Sequence, residues 1–262
     1  MPRRMPFVLK KLALLRERVS DWEDYPFYVP AIRELHEIVF HSRICFLAGE
    51  NGTGKSTLLE AIATHYGFGQ EGGNRNFRNS STDSNHSIDP LVKALRLSFD
   101  RRTGAGFFLR AESFFNVASH IDELDKEPSG SAPLSTFYGG RSLHTRSHGE
   151  TFFTLLDLKF RRNGLFLLDE PEAALSPQRQ LSFLVLIHDV LRQFKDAQFI
   201  ISTHSPVLLA YPKAQILSFD EGKLREVGYE ETGSYQVVHR FLNSRHEFLD
   251  ELFADTRSLF EE

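Results

Sequence analysis

The sequence has one cysteine, Cys45, so no disulfide can form within the chain and a buried structural thiol is the role that suits it. That usage fits a reducing cytoplasm, which is the localisation expected. No apolar run is long enough to cross a bilayer, and Met1-Pro2-Arg3-Arg4-Met5-Pro6 is basic without the apolar region and cleavage site of an export signal, so no membrane insertion is expected. Charge of one sign is not in excess. The 31 Lys and Arg against 35 Asp and Glu give a net charge of -4, which excludes a chain coated in positive charge and leaves only a local basic patch open. Neither a repeat of fixed period nor a heptad run long enough for a coiled coil is present, which excludes a solenoid and a rod.

What is there suffices for a core. The chain has 262 residues, of which 41% are hydrophobic and 25% charged, enough for one large core or two modest ones. Its organising stretch is Gly49-Glu50-Asn51-Gly52-Thr53-Gly54-Lys55-Ser56-Thr57, which fits G-x-x-x-x-G-K-[ST]. In such a loop the backbone N–H groups turn inward to cradle phosphates, and the glycines allow approaches that a Cβ would block. Lys55 would neutralise phosphate charge and Ser56 would offer its hydroxyl to Mg²⁺. Both flanks fit: Ile44 to Ala48 is a short apolar run that reads as a buried strand, and Leu58, Leu59 and Ile62 follow at helical spacing up to Gly67.

Upstream, Phe7 to Val19 reads as a strand or a short helix, and periodicity does not choose between them. Asp21 to Pro30 carries four aromatic residues where an adenine ring would need a surface. Tyr25 is the candidate for stacking, with packing of a first sheet as the other reading. Ile38-Val39-Phe40 reads as a second short strand. Downstream, Gly69 to Pro90 is rich in Gly, Asn, Ser and Asp and reads as a long surface loop. Leu95 to Phe99 alternates like a half-exposed strand, with Phe107 to Arg110 as its hairpin partner and Glu112 just beyond. Asn116 to Glu127 reads as a helix, followed by an internal linker to Pro133. A basic loop from Tyr138 to Glu150 then meets a helix carrying Leu156 and Phe160 and closed by Gly164.

Leu165 to Leu168 is an apolar strand ending in two carboxylates, Asp169 and Glu170. Strand ends of parallel sheets lie beside a phosphate loop, so Asp169 suits a metal role and Glu170 the orientation or deprotonation of water. Ser176 and Pro177 form an N-cap and first-turn pair for a helix to about Lys195. Gln198 to Ser202 is a neighbouring buried strand that ends at Thr203-His204-Ser205, from where His204 would reach a γ-phosphate. Gln215 to Val227 reads as a β-hairpin. Two amphipathic helices close the chain, the second opened by the capping box Ser244-Arg245-His246-Glu247, with Phe248, Leu249, Leu252 and Phe253 on a face that needs a partner.

The phosphate loop, Ser147-His148-Gly149-Glu150, Asp169-Glu170-Pro171 and Thr203-His204-Ser205 stand in the order of an ABC-type ATPase, which the chain resembles from about residue 7 to 220. Within that superfamily it is similar to the SbcC/SMC-type branch and the small bacterial ATPases grouped with it, which share the G-E-N-G form of the loop. Arg146-Ser147-His148-Gly149-Glu150 in place of Leu-Ser-Gly-Gly-Gln, and Ser176 where transporters keep Asp, set it apart from transporter subunits. The resemblance implies an α/β fold of P-loop type, with a mostly parallel central sheet flanked by helices and an antiparallel β element near the N-terminus. It implies ATP and Mg²⁺ as cofactors, Glu170 as catalytic base, His204 as switch histidine, and Lys55, Ser56 and Asp169 at the phosphates and the metal. Ser147, Gly149 and Glu150 would bind the nucleotide of a second subunit, so sites would form in an ATP-dependent homodimer. Glu112 stands where the family keeps a Gln that senses Mg²⁺.

One domain over 1–262 is expected, with strands and phosphate loop in 7–66, a loop-rich insert in 67–135, the signature and switch region in 136–228 and helices in 229–262. The expected function is ATP hydrolysis that drives or gates a partner process, in a setting such as DNA repair or defence. A nucleotide-switched DNA- or protein-binding module and a transporter subunit are the alternatives. DNA would be met by pairs such as Lys10-Lys11 and Arg161-Arg162 if they shared a face, and binding would then weaken steeply with salt. His144, His148 and His204 fit phosphate recognition better than a zinc cluster, which would usually add cysteines.

Overall fold

The computed structural model describes residues 7–68, 88–101, 103–111, 153 and 156–258. Among these residues two sheets are built from the runs seen in the sequence. The smaller is antiparallel, in the order β2-β1-β4: β1 (Leu9–Leu14) sits between β2 (Glu37–Val39) and β4 (Leu95–Phe99). The ambiguous N-terminal segment is therefore a strand, with Leu9, Leu12 and Leu14 buried and Lys10 and Lys11 partly exposed.

The larger sheet has the order β5-β6-β7-β3-β8-β9. Its parallel part comprises β3 (Ile44–Ala48), β5 (Gly106–Arg110), β6 (Gly164–Asp169), β7 (Ala197–Ser202) and β8 (Gln215–Ser218). The edge strand β9 (Arg225–Glu226) runs antiparallel to β8 and completes the expected hairpin. In β3, β6 and β7 every residue is buried, as strands covered on both faces require. Alternate side chains feed two cores. Cys45, Leu47, Phe108, Leu167 and Ile200 face the smaller sheet, the short helix α1 (Pro30–Arg33), helix α2 (Lys55–Tyr66) and helix α3 (Asp89–Ala94). Phe46, Phe166, Leu168, Phe199 and Ile201 face the opposite layer, where Phe160, Phe166 and Phe199 pack with ring centroids 4.9–5.2 Å apart.

Helix α4 (Pro177–Gln193) covers that second face. Ser176 caps it by accepting from the Arg179 N–H, Pro177 opens it, and Phe183, Ile187 and Val190 recur at helical spacing on the buried side. Its last carbonyls are taken up by Arg43, whose guanidinium donates to Leu191 O at 2.8 Å and Phe194 O at 3.1 Å. Because Arg43 leads directly into β3, this cap fixes the helix relative to the strand before the phosphate loop. A second tie joins the sheets: the buried Gln198 side chain of β7 accepts from Leu9 N at 2.7 Å and donates to Leu9 O at 2.9 Å, pairing with β1 as another strand would.

Three expectations need correcting. Phe107 to Arg110 does not pair with β4; it is β5, parallel to β6 in the other sheet. The reason lies in consecutive burial: Phe107, Phe108 and Leu109 are all covered, which a half-exposed hairpin does not allow. Gly164 does not close a helix but starts β6, where a Cβ would lie 2.8 Å from Ala105 O. Asp89 and Pro90 open α3 rather than ending a loop; residues 69–87, like the helix and linker expected over 116–133, lie outside the described residues. The last two helices, α6 (Gly233–Asn243) and α7 (Arg245–Ser258), follow the short α5 (Pro206–Leu209) and are present. They meet each other through Phe241 and Phe248, and Leu252 and Phe253 are more than half exposed.

β5 and β6 come together at two glycines. A Cβ on Gly106 would lie 2.0 Å from Leu165 O, and its φ of 148° is one that a side chain rarely adopts. Gly106→Ala is expected to cost roughly 2–4 kcal/mol of stability, because backbone must move to admit the methyl group. Urea unfolding checks this, and an unchanged midpoint would contradict the close approach.

Candidate functional site

The site lies at one end of the parallel strands. Leu47 on β3 pairs with Ser202 on β7, and Ser202 pairs with Asp169 on β6, so the loop after β3 and the acidic end of β6 emerge side by side. Residues 49–54 then turn sharply into α2. Gly54 adopts a left-handed conformation at the helix start, and a Cβ there would meet Val29 at 2.9 Å. The first turn of α2 has N–H groups without intrahelical partners and carries the positive end of the helix dipole, so the loop presents an anion cradle.

Lys55 is buried in this cradle, 3% exposed, and its ammonium donates to Gly49 O at 2.6 Å and Glu50 O at 2.7 Å. Burial pushes it below the ordinary lysine value, and four carboxylates pull it back, Glu170 most and then Asp169, Asp220 and Glu172. A cation held among carboxylates at a helix N-terminus is poised for a polyanion. Ser56 donates from Oγ to Asp169 Oδ1 at 2.9 Å, so two of the three residues expected at Mg²⁺ stand in contact. Their donors are a hydroxyl and a carboxylate, oxygen only, the type a magnesium ion takes alongside phosphate and water. The fit is good on that ground.

Asp169 is itself nearly buried. Desolvation raises its pKa above the carboxylate norm, against the pull of Arg110 first and of the Ser56 hydrogen bond. Arg110, the last residue of β5, bridges from Asp169 Oδ2 at 3.5 Å to Glu60 on α2 at 3.4 Å. Glu170 follows with φ 49° and ψ 51°, a left-handed conformation that non-glycine residues seldom take and that concentrates at functional sites. His204 stands just beyond β7, about half exposed, with its Nδ1 at 3.4 Å from Glu172. Tyr25 is beside the loop, its hydroxyl hydrogen-bonded to Thr57 Oγ1 at 3.1 Å, while its ring also packs on the core below the smaller sheet. Glu50 and Thr53 shape the loop: Glu50 N–H donates to Asp220 Oδ1 at 3.1 Å, and Thr53 Oγ1 donates to Glu50 O at 2.8 Å. Asn51 and Gly52 are exposed at its tip.

Thus Gly49 to Thr57, Asp169, Glu170, His204 and Tyr25 gather at one sheet end, while Glu112, Ser147, Gly149 and Glu150 lie outside the described residues. Three residues that the sequence reading passed over also belong here. Arg110, Glu172 and Asp220 contact Asp169, the His204 turn and the phosphate loop respectively. The signal for them was available, since each is a charge at or just beyond the C-terminal end of a buried strand.

A strand, glycine-rich loop and helix whose Ser56 meets Asp169, from a strand two places along the same parallel sheet, define a P-loop domain. The chain belongs to a family described as "AAA domain", whose model matches residues 27–166, more than half of the sequence. A second model, described as "AAA domain, putative AbiEii toxin, Type IV TA system", matches residues 136–210. Among solved structures the chain is similar to the SMC head domain from Thermotoga maritima, at 16% identity over 84% of this chain and 98% of that one, with a TM-score of 0.44. It is similar to cbiO1 from Clostridium perfringens, part of the ABC transporter complex cbiONQ, at 16% identity over 94% and 99% with a TM-score of 0.46. An SMC head bound to the C-terminal winged-helix domain of ScpA matches at 16% identity over 73% and 92%, with a TM-score of 0.41. No curated protein matches the sequence. Among the described residues no helix is long and apolar enough to cross a membrane.

The raised pKa of Asp169 has a consequence for stability. The folded chain holds its proton more tightly than the unfolded chain, so ionising it costs stability above the folded pKa, and the cost fades as the pH falls toward the ordinary carboxylate value of about 4. Without nucleotide, Asp169→Asn is expected to unfold at a higher temperature than the native chain at neutral pH, with the gap closing on acidification. Thermal melts across that pH range measure it; a variant less stable at neutral pH would contradict this balance of burial over Arg110.

Proposed function

We propose that this domain is a Mg²⁺-dependent ATPase that closes as a dimer around two ATP molecules and drives or gates a partner process. The observation that carries the reading is the contact of Ser56 with Asp169 beneath a loop holding a buried Lys55. The loop N–H groups and Lys55 bind the β- and γ-phosphates, and Ser56 and Asp169 hold Mg²⁺. When bound, Mg²⁺ supplies charge compensation to the phosphoryl oxygens as the γ-phosphate departs.

Glu170 orients the attacking water and takes its proton, from a strand end fixed by its own N–H donating to Ser202 O at 2.9 Å. His204 meets the γ-phosphate from the neighbouring strand end. Tyr25 offers a face to the adenine. Ser147, Gly149 and Glu150 complete the site of the second subunit, and Glu112 senses the metal. In this reading residues 1–262 are one ATPase domain, with 136–228 supplying the half-site that faces a partner copy. The named toxin of the second family model is consistent with a defence setting, and the partner process is where that setting would be expressed.

The test is the solution mass and bound nucleotide of Glu170→Gln with and without Mg-ATP. Removing the base is expected to slow turnover by roughly 10²–10⁴-fold and to trap an ATP-bound dimer. A monomer that holds ATP would refute the shared sites and leave a nucleotide-switched module acting on DNA or protein. A chain that binds no ATP would overturn the whole reading. Lys55→Ala is expected to weaken ATP binding by at least about tenfold, the loss of a charge-assisted hydrogen bond in a buried setting; equilibrium titration with labelled ATP reads it directly.

A further inference from the structure

Beyond Glu170 the chain turns through Pro171–Ala174 and brings a second carboxylate back under the strand ends. Glu172 has a side chain only 6% exposed. Its Oε1 accepts from Thr203 Oγ1 at 2.6 Å and from the His204 N–H at 2.8 Å, and lies 3.4 Å from His204 Nδ1. Its Oε2 is buried with no hydrogen-bond partner among the described residues. A buried carboxylate with one oxygen unsatisfied is costly, and a fold that needed only filling would use an apolar residue here. What Glu172 touches is therefore informative: each contact of its bonded oxygen falls on Thr203 or His204.

The turn is held from its far side as well. Thr203 Oγ1 accepts from Ser205 N at 3.0 Å, and Ser205 Oγ donates to the buried Gln180 of α4 at 2.6 Å. Thr203 N in turn donates to Leu47 O at 3.0 Å, two residues before Gly49. The backbone of His204 is thus fixed against the strand that leads into the phosphate loop, while its ring remains half exposed.

We propose that Glu172 is a positioning residue for His204: it anchors the Thr203-His204 turn and sets the ring with Nδ1 toward the carboxylate, leaving Nε2 for the nucleotide. A carboxylate beside Nδ1 favours a proton on that nitrogen, the device by which a second group orients a functional imidazole. This rests on the reading that the site turns over ATP, with His204 at the γ-phosphate. Glu172 takes no part in the chemistry itself, and no bond forms or breaks at it.

The test is steady-state Mg-ATP hydrolysis by Glu172→Ala, Glu172→Gln, His204→Ala and the double variant Glu172→Ala/His204→Ala, beside thermal melts. Glu172→Ala is expected to lower kcat roughly ten- to a hundredfold with KM changed by less than about threefold, a loss of orientation rather than of ATP binding. Glu172→Gln should recover most of the rate, because the amide oxygen still accepts from Thr203 and the His204 N–H. The double variant should be no slower than His204→Ala alone, since Glu172 then has no ring to set. Native kcat in Glu172→Ala, or additive losses in the double variant, would overturn the proposal. If Glu172→Ala does not fold, the ¹⁵N resonances of His204 decide: a shifted Nδ1 signal in Glu172→Gln supports the contact and an unchanged one refutes it. Absence of turnover in the native chain would count against the ATPase reading, and the same resonances would then test the contact by themselves.

Discussion

Everything at this site depends on parallel register across three strands. Because Asp169, Ser202 and Leu47 sit level on β6, β7 and β3, a metal-type carboxylate, a histidine turn and a glycine-rich loop leave the sheet at one height. The polar groups beyond the strand ends, Lys55, Glu170 and His204, lie past the paired residues and do not set that register. It is set below them, by consecutive apolar residues filling both faces of the sheet, and by the Arg43 cap and the Gln198 bridge that lock the covering layers in place. Hydrophobic burial supplies the drive, and hydrogen bonds supply the alignment.

The polar end carries the cost of that arrangement. Lys55 is pushed toward its neutral form by burial and Asp169 toward its protonated form, each against its ordinary preference. Glu170 sits in a left-handed backbone conformation, and Glu172 has a buried oxygen without a partner among the described residues. Local expense of this kind persists only where a surrounding fold over-determines it. An incoming triphosphate with its cation meets these groups with the charges they lack: anionic oxygens for Lys55 and a cation for Asp169. Under the proposed function, the nucleotide relieves what the protein alone leaves strained.

Much of this was legible in the sequence, for identifiable reasons. The phosphate loop, the Asp169 strand and the β7 strand announced themselves because fully buried strands are runs of apolar residues, and because a glycine pattern at fixed spacing has few other uses. The α4 cap was legible because Ser176-Pro177 satisfies a helix start locally. Pairing was harder to read. Phe107 to Arg110 lies next in sequence to β4, and nearness along the chain favoured a hairpin; only the packing of Gly106 against Leu165 O, a contact distant in sequence, shows β5 beside β6. Arg110, Glu172 and Asp220 were missed on the same ground, since each acts on a residue that the fold brings from elsewhere.

That difference also explains which part of the chemistry a motif can specify. Lys55 and Ser56 are adjacent in the loop and inherit their placement from one turn of backbone, so spacing alone predicts them. His204 owes its placement to Leu47, Gln180 and Glu172, three partners on three separate segments. A motif such as Thr-His-Ser names the ring but not what aims it. The same residue triplet on a chain with an apolar side chain at 172 would carry the histidine without the carboxylate beside Nδ1. In that sense Glu172 distinguishes a histidine that merely ends a strand from one held in a set orientation, and the holding group follows the Asp-Glu pair by only two positions. The acidic strand end and the His204 turn are therefore one unit: under the proposed function, the segment that carries Glu170 as base also carries the residue that aims the histidine.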